Sequence, residues 1–195
     1  MPFLLDTVVN DATATMGYRL GYDTSGAVNT TTRQLISQAR MLYTLSLLHN
    51  EAAGNSRKRA QLLRAADDGY AFIESSFFDP VWGGYFWVVG DDGEPMEREK
   101  NARGQMTVIL AYVEYARAKN APEVAERAQE LFDNISRTIV DPEFGGYIED
   151  FKQDWTPIRR PIGGGPTVSY GLKTQVFVME MLEALTELFK ELDRK

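Results

Sequence analysis

The 195-residue sequence contains no cysteine and one histidine, His49. The absence of cysteine excludes a disulfide framework, a thiolate nucleophile and a thiolate metal site. A single histidine also excludes the multi-histidine clusters that hold catalytic zinc or iron. We therefore expect neither a metal nor a cofactor.

Long hydrophobic runs and an excess of positive charge are also absent. No apolar run approaches the roughly 20 residues that a membrane helix requires, so no membrane partner is expected. Lys and Arg total 21 against 28 Asp and Glu, a net charge of −7, which lacks the clustered basic footprint of nucleic-acid binding. The opening residues 1–6 show no basic n-region or cleavage site of a signal peptide, and cytoplasmic residence is the expectation.

An internal repeat is the most informative feature that is present. Residues 79–85 read DPVWGGY and residues 141–147 read DPEFGGY, an offset of 62 residues, and Gly21-Tyr22 is a fainter earlier copy. A repeat of this length indicates a stack of similar supersecondary units. The length and the hydrophobic content of 44% fit one globular domain over residues 1–195.

The segments between the repeat marks have the apolar periodicity of helices. The predicted helices cover 31–52, 56–78, 101–119, 122–139 and 170–193, with a weaker one over 3–16. Thr30 to Thr32 offer caps for the first of these, and Pro122 suits a first helical turn. Residues 85–89 favour a strand, with a turn at 90–93 and a possible return strand at 94–99. Residues 157–166 are expected to form one long loop.

This order of elements predicts an all-α fold, an α/α toroid of helical hairpins with short β-hairpin corners. Each hairpin buries its apolar face only against its neighbours. The helices after each glycine corner (31–52, 101–119 and 170–193) are expected to form an inner ring, and those before each corner an outer ring.

Several motifs resemble the N-acylglucosamine 2-epimerase and cellobiose 2-epimerase family, in the family's order along essentially the whole chain. They are Gln38-Ala39-Arg40, Gly83-Gly84-Tyr85, Gly104-Gln105, Asp154-Trp155-Thr156-Pro157, and Lys173 with Leu182–Thr186. The resemblance implies an (α/α)6 barrel of six hairpins, a carbohydrate pocket on its axis, and proton transfer at carbon 2 of a sugar. Three hairpins correspond to the N-terminal half of such a barrel.

The resemblance also implies a catalytic position. Relatives carry a histidine just before the stretch that matches Met181–Ala184, and Glu180 stands there in this sequence. Glu180 is a candidate base if burial raises its pKa, and the alternative is a surface or salt-bridged glutamate. Without that histidine and a second half-barrel, the resemblance predicts a carbohydrate-binding protein. Any activity would be that of a carbohydrate 2-epimerase or an aldose–ketose isomerase.

The same comparison gives a set of candidate substrate-binding residues. Arg40 matches the family's pocket arginine, and its alternative role is an interhelical ion pair. Gln105 at the next inner helix is either a hydroxyl ligand beside Arg40 or a polar core residue. The tryptophans could stack on a sugar face, although packing at the glycine corner also explains Trp87. The whole set is Arg40, Trp87, Arg103, Gln105, Trp155 and Lys173.

Two further expectations concern partners. In place of a sugar site, the concave inner face could be a protein interface of a non-catalytic interaction module. A homodimer is expected because half a toroid leaves open edges, and a soluble monomer rarely exposes a large apolar patch. The apolar residues of the inner helices behind this argument are Leu45, Leu48, Val108, Ile109, Phe177, Met181 and Leu185.

Overall fold

The computed structural model describes residues 17–19, 21–52, 54, 56–159 and 173–193. The helices are α1 (Leu35–Glu51), α2 (Ser56–Phe72), α3 (Ala102–Lys119), α4 (Pro122–Ile135) and α5 (Gln175–Leu192), and a π-helical turn, Ile73–Phe77, extends α2. The strands are β1 (Thr32–Gln34), β2 (Val88–Gly90), β3 (Pro95–Glu97), β4 (Lys100–Asn101) and β5 (Asp150–Phe151). The predicted helix 3–16 and most of the predicted loop 157–166 lie outside the described residues.

The helices form two layers, as the sequence predicts. Helix α3 packs between α1 and α5, while α2 packs on α1 and α4 on α3. The order α1, α3, α5 is therefore the inner layer, with α2 and α4 outside it. Helix α3 is buried along most of its length because helices cover it on three sides. None of the described helices is long and apolar enough to cross a bilayer.

The predicted start of the first inner helix is wrong by four residues. Thr32–Gln34 form β1, which pairs antiparallel with β2, and α1 begins at Leu35. The β-branched Thr32 suits an extended strand, and the edge of the β2–β3 hairpin supplies its partner. Strand β4 pairs with β5 in the same way. Each inner helix of these two repeats is thus preceded by a strand that binds the hairpin or loop after the next corner.

The first glycine corner is Gly17-Tyr18, whereas the sequence pattern suggests Gly21-Tyr22. The corner glycines Gly17, Gly84 and Gly146 have φ of 60°, 70° and 71°, and a tyrosine follows each. Nine residues later Gly26, Gly93 and Trp155 again have positive φ, of 86°, 80° and 64°. Tyr22 instead pairs with Val28 in a short hairpin. The backbone conformation therefore shows which positions of the three repeats are equivalent.

The apolar residues behind the sequence argument for a dimer are mostly buried within the chain. Leu45, Val108 and Ile109 are 0% exposed, Phe177 is 1% and Met181 is 5% exposed. Leu48 and Leu185 are partly buried and pack against the same core. That argument is wrong in its choice of residues, because these side chains face neighbouring helices of the same chain.

Candidate functional site

Three charged side chains from the three inner helices meet on the concave face. Glu180 of α5 accepts hydrogen bonds from Arg103 of α3, at 2.6 Å from Nε and 3.0 Å from Nη2. Arg40 of α1 donates to the same carboxylate at 2.5 Å. Arg40 and Glu180 are equivalent in the repeat, since each lies six residues after the N-cap of its helix. We call Arg40, Arg103 and Glu180 the charged cluster.

The cluster carries more positive than negative charge and is open to solvent. The side chains of Arg40 and Arg103 are 45% and 38% exposed, whereas that of Glu180 is 12% exposed. Hydrogen bonding to Glu180 raises the pKa of Arg103, so this guanidinium remains charged. Each guanidinium has five N–H donors, more than these bonds use. The cluster can therefore donate to oxygen atoms of a ligand.

A second ion-pair network holds the other end of the inner helices together. Arg117 near the end of α3 binds Glu187 at 2.7 Å and Glu191 at 2.6 Å, both on α5. Asn50 of α1 donates to Glu114 of α3 at 2.6 Å. The concave face is thus lined by charged and polar groups from all three inner helices.

Glu149 is a candidate residue of the functional site that the sequence analysis does not identify. It is buried, and it accepts hydrogen bonds from the backbone N–H and the hydroxyl of Thr174 at the start of α5. Burial raises the pKa of Glu149, although the hydrogen bonds from Thr174 and the positive charge of Arg103 oppose this increase. An acidic pair, Glu149-Asp150, inside an otherwise apolar segment was the available sequence signal.

Another missed feature is a fully buried ion pair at the second corner. Lys100 contacts Asp79 at 2.8 Å and the carbonyl of Gly83 at 2.9 Å, and both charged side chains are 0% exposed. Burial lowers the pKa of Lys100 to about 8. Burial also opposes the charge of Asp79, but hydrogen bonds from Lys100, the Val81 N–H and Gln153 prevail and lower its pKa. This enclosed pair connects the corner to the start of α3.

Two of the predicted sugar-binding residues lie in the core of the same region. Gln105 is 0% exposed, and both ends of its side-chain amide bind the backbone of Tyr85. Trp87 is 7% exposed and packs against Gly104, where a Cβ would lie 2.9 Å from its ring. The structure thus places Gln105 in the polar core, where the backbone of Tyr85 occupies its amide, and packing accounts for Trp87.

The last two predicted residues lie at the corners. Trp155 covers Gly84, where a Cβ would lie 2.6 Å from its ring, and its Nε1 donates to the carbonyl of Trp82 at 3.0 Å. Lys173 pairs with Asp141 at 2.8 Å and lines a recess of about 360 Å³ at the third corner. The predicted residues that the structure brings together are therefore those of the charged cluster.

Within the described ranges no group of three or more His, Asp or Glu side chains could hold a metal ion.

Comparison with known proteins places this arrangement in a family. The family model for N-acylglucosamine 2-epimerase (GlcNAc 2-epimerase) matches residues 17–162. A cellobiose 2-epimerase of Dictyoglomus turgidum is 28% identical over 158 residues, which is 80% of this chain and 38% of that protein. The structure of a cellobiose 2-epimerase from Spirochaeta thermophila has a TM-score of 0.77 at 31% identity, covering 97% of this chain and 47% of that one.

The cellobiose 2-epimerase structure from Bacillus thermoamylovorans, at 23% identity and a TM-score of 0.80, shares the fold and again matches over 47% of its own length. The chain spans less than half the length of these relatives. The matched family model and the inner-helix architecture agree: the chain belongs to the N-acylglucosamine 2-epimerase family.

Proposed function

We propose that the concave face of α1, α3 and α5 binds a carbohydrate through Arg40, Arg103 and Glu180, as part of a sugar epimerase or isomerase. The observation that carries the proposal is the convergence of these three side chains from three separate helices, within a family that includes cellobiose 2-epimerases. Residues 140 positions apart in the sequence meet there.

The chemistry of the cluster suits a polyhydroxylated ligand. A guanidinium donates two parallel hydrogen bonds in a fixed plane, a geometry that fits vicinal hydroxyl oxygens. The Glu180 carboxylate accepts hydrogen bonds from hydroxyl groups. A sugar would replace part of the contact between Glu180 and the exposed Arg40, while the two-point contact to Arg103 keeps the carboxylate in place. Guanidinium groups also stabilise an oxyanion that develops next to a carbonyl.

Catalysis by this chain alone is not expected. Epimerisation at carbon 2 requires a base that removes a proton next to a carbonyl. Both oxygens of Glu180 accept hydrogen bonds from arginine, so an oxygen must first be released before Glu180 could act as that base. We therefore propose sugar binding with negligible 2-epimerase or aldose–ketose isomerase turnover.

The alternative function, a non-catalytic module with a concave protein interface, has less support. The centre of a protein interface is depleted of charged residues and rich in aromatic groups. The concave face instead presents the charged cluster and the Arg117 network. This composition favours a small polar ligand.

Saturation-transfer NMR and calorimetry with glucose, mannose, N-acetylglucosamine and cellobiose test the proposal. Arg103→Ala and Arg40→Ala should each weaken binding about tenfold or more, since a hydrogen bond to a charged group contributes about 1.5–3 kcal/mol. Arg57→Ala, on the exposed start of α2, is the matched control and should bind normally. Equal affinity in all three variants, or no binding of any sugar, would contradict the proposal.

Activity is measured separately on the same sugars. The wild-type chain should give no product above background. Rapid turnover that Glu180→Gln abolishes would show that the carboxylate is a catalytic base, and would overturn the binding-only proposal.

A further inference from the structure

Helix α5 exposes apolar side chains at positions that are buried in the other inner helices. Met179, Leu182 and Phe189 are 60%, 59% and 53% exposed. They lie five, eight and fifteen residues after the N-cap of α5. The counterparts at these three positions are Ala39, Leu42 and His49 in α1, and Met106, Ile109 and Ala116 in α3, all at most 7% exposed. We call Met179, Leu182 and Phe189 the α5 stripe.

In α1 and α3 the next repeat covers these positions. Helices α2 and α3 pack on α1, and α4 and α5 pack on α3. His49, the counterpart of Phe189, contacts the carbonyl of Arg59 in α2. Because the three repeats are equivalent, we expect the α5 stripe to pack against another outer helix and another inner helix.

Within the described ranges, the backbone before α5 does not make the strand contacts that precede α1 and α3. The backbone N–H of Leu35, at the start of α1, donates to the backbone carbonyl of Trp87 at 3.0 Å. The backbone N–H of Ala102, at the start of α3, donates to the backbone carbonyl of Glu149 at 2.7 Å. These bonds accompany the β1–β2 and β4–β5 pairs. Across the described ranges, no strand pairs with residues 173–174 and no backbone carbonyl from a following repeat receives the N–H of Gln175.

The first repeat presents the complementary part. Residues 21–29 form a hairpin in which Tyr22 pairs with Val28, and the Asn29 N–H donates to the Gly21 carbonyl at 3.2 Å. This hairpin follows the Gly17 corner as β2–β3 follows the Gly84 corner. Residues 23–29 are all exposed. Strand β1, which precedes α1, pairs with β2 of the next hairpin. Among the described residues, no strand pairs with the hairpin 21–29 in this way.

We propose that a second copy of this chain joins these two complementary parts. The hairpin 21–29 of one copy pairs with residues 173–174 of the other, and the first repeat of that copy covers the α5 stripe. A two-fold axis forms both contacts at once, and cyclic dimers are the commonest assemblies.

The lengths of the relatives support a second copy of the chain as the partner. The chain matches 47% of the solved Spirochaeta thermophila structure at a TM-score of 0.77. Two copies therefore supply about as many hairpins as one such relative. In the closed ring, two charged clusters face the same central space. The assembly does not depend on whether that space binds a sugar.

The repeat register specifies which residues meet across the interface. Arg33 pairs with Val89, five residues after Gly84, and Lys100 pairs with Phe151, five residues after Gly146. The equivalent pair is Lys173 of one copy and Tyr22, five residues after Gly17, of the other. Opposed residues of antiparallel strands have Cα atoms about 4.5–5.5 Å apart, within the range of a disulfide.

Cross-linking tests this pair, and the natural chain has no cysteine to interfere. Tyr22→Cys and Lys173→Cys are prepared as separate proteins, mixed and oxidised. The mixture should give a covalent dimer of about 44 kDa, twice the chain mass of 22.0 kDa, and neither protein alone should do so. Met96→Cys, on exposed β3, replaces Tyr22→Cys as the control and should not cross-link to Lys173→Cys. No cross-link in the first mixture overturns the predicted register.

Light scattering at micromolar concentration tests the assembly itself. The wild-type chain should give a dimer, Leu182→Glu should give a monomer, and the exposed-site control Met96→Glu should remain dimeric. Circular dichroism checks that each variant is folded, and Phe189→Ser repeats the test should Leu182→Glu not fold. A wild-type species of about 22 kDa, or a dimer unaffected by both α5 substitutions, overturns the proposal.

Discussion

Gln105 holds both backbone groups of Tyr85: its Oε1 accepts from the Tyr85 N–H at 2.9 Å, and its Nε2 donates to the carbonyl at 2.8 Å. Gln38 binds Tyr18 in the same way, at 2.7 and 2.8 Å. In both repeats the glutamine lies 20 residues after its tyrosine. The third repeat has Val178 at this position, four residues after the N-cap of α5, so this contact ties only the first two corners to their inner helices.

Gln105→Leu and Gln38→Leu should each destabilise the protein by about 2 kcal/mol or more, because a buried N–H and a buried carbonyl lose their partners at about 1–3 kcal/mol each. Urea unfolding measures the effect. Val178→Ala, at the equivalent position of α5, is the control and should change stability by less than about 0.5 kcal/mol. Similar losses in all three variants would show that the glutamine contacts contribute little.

Adjacent glycines at the second corner should respond differently to alanine. Both have positive φ, 67° at Gly83 and 70° at Gly84, and a Cβ at Gly83 meets nothing within 4 Å. Gly83→Ala should therefore cost only the backbone strain, about 1–2 kcal/mol. Gly84→Ala should cost more, because its Cβ would lie 2.6 Å from the ring of Trp155.

Trp155→Ala in the Gly84→Ala background checks the cause of that difference by thermal unfolding. The double variant should lose less stability than the two single variants together, because the clash exists only when both groups are present. Additive losses would mean that Trp155 does not limit this corner.

The buried Lys100–Asp79 pair should be far more sensitive than an exposed pair. Lys100→Met leaves the Asp79 carboxylate buried without its ammonium partner and should cost about 3–5 kcal/mol. Lys119→Met, which removes a solvent-exposed pair with Asp67, is the matched control and should cost at most about 1 kcal/mol. Equal losses in chemical denaturation would contradict the difference in burial.

Asp79 also predicts a pH dependence of stability. Its folded-state pKa is lowered, whereas an unfolded aspartate titrates near about 3.9. Its contribution is therefore complete above about pH 5 and is lost as the pH falls below about 4 toward the lowered pKa. The free energy of unfolding of the wild type, measured with urea, should exceed that of Asp79→Asn by a margin that shrinks between about pH 5 and pH 3. A constant margin would remove Asp79 as the cause.

Much of the helical architecture could be predicted because its information is local. Apolar periodicity located α1 to α5, and Pro122 stands at the first turn of α4 as expected. Residues 32–34 were one exception, because the run Thr30 to Thr32 just before Arg33 suits a helix cap and a strand equally well. Their strand conformation depends on pairing with residues 88–90, which are distant in the sequence.

The site was predicted less completely, for a similar reason. Family resemblance selected Arg40, Arg103 and Glu180 one by one, but their mutual contacts span 77 and 140 residues and follow only from the packing of three helices. Gln105 looked like a ligand because the sequence does not show that the backbone of Tyr85 occupies its amide. Lys100 drew no attention because it ends the charged run 97–100, a pattern that is typical of an exposed segment.

The burial of Lys100 allows local opening of the protein to be measured by chemical labelling. An amine-acylating reagent cannot reach the Lys100 Nζ, with 0% exposure, while the corner is intact, but it reacts freely with exposed lysines such as Lys152. The rate at which acylated Lys100 appears in a peptide map would therefore measure how often the second corner separates from α3. Compared with the rate of global unfolding, it would tell whether this corner opens by itself or only when the whole chain unfolds.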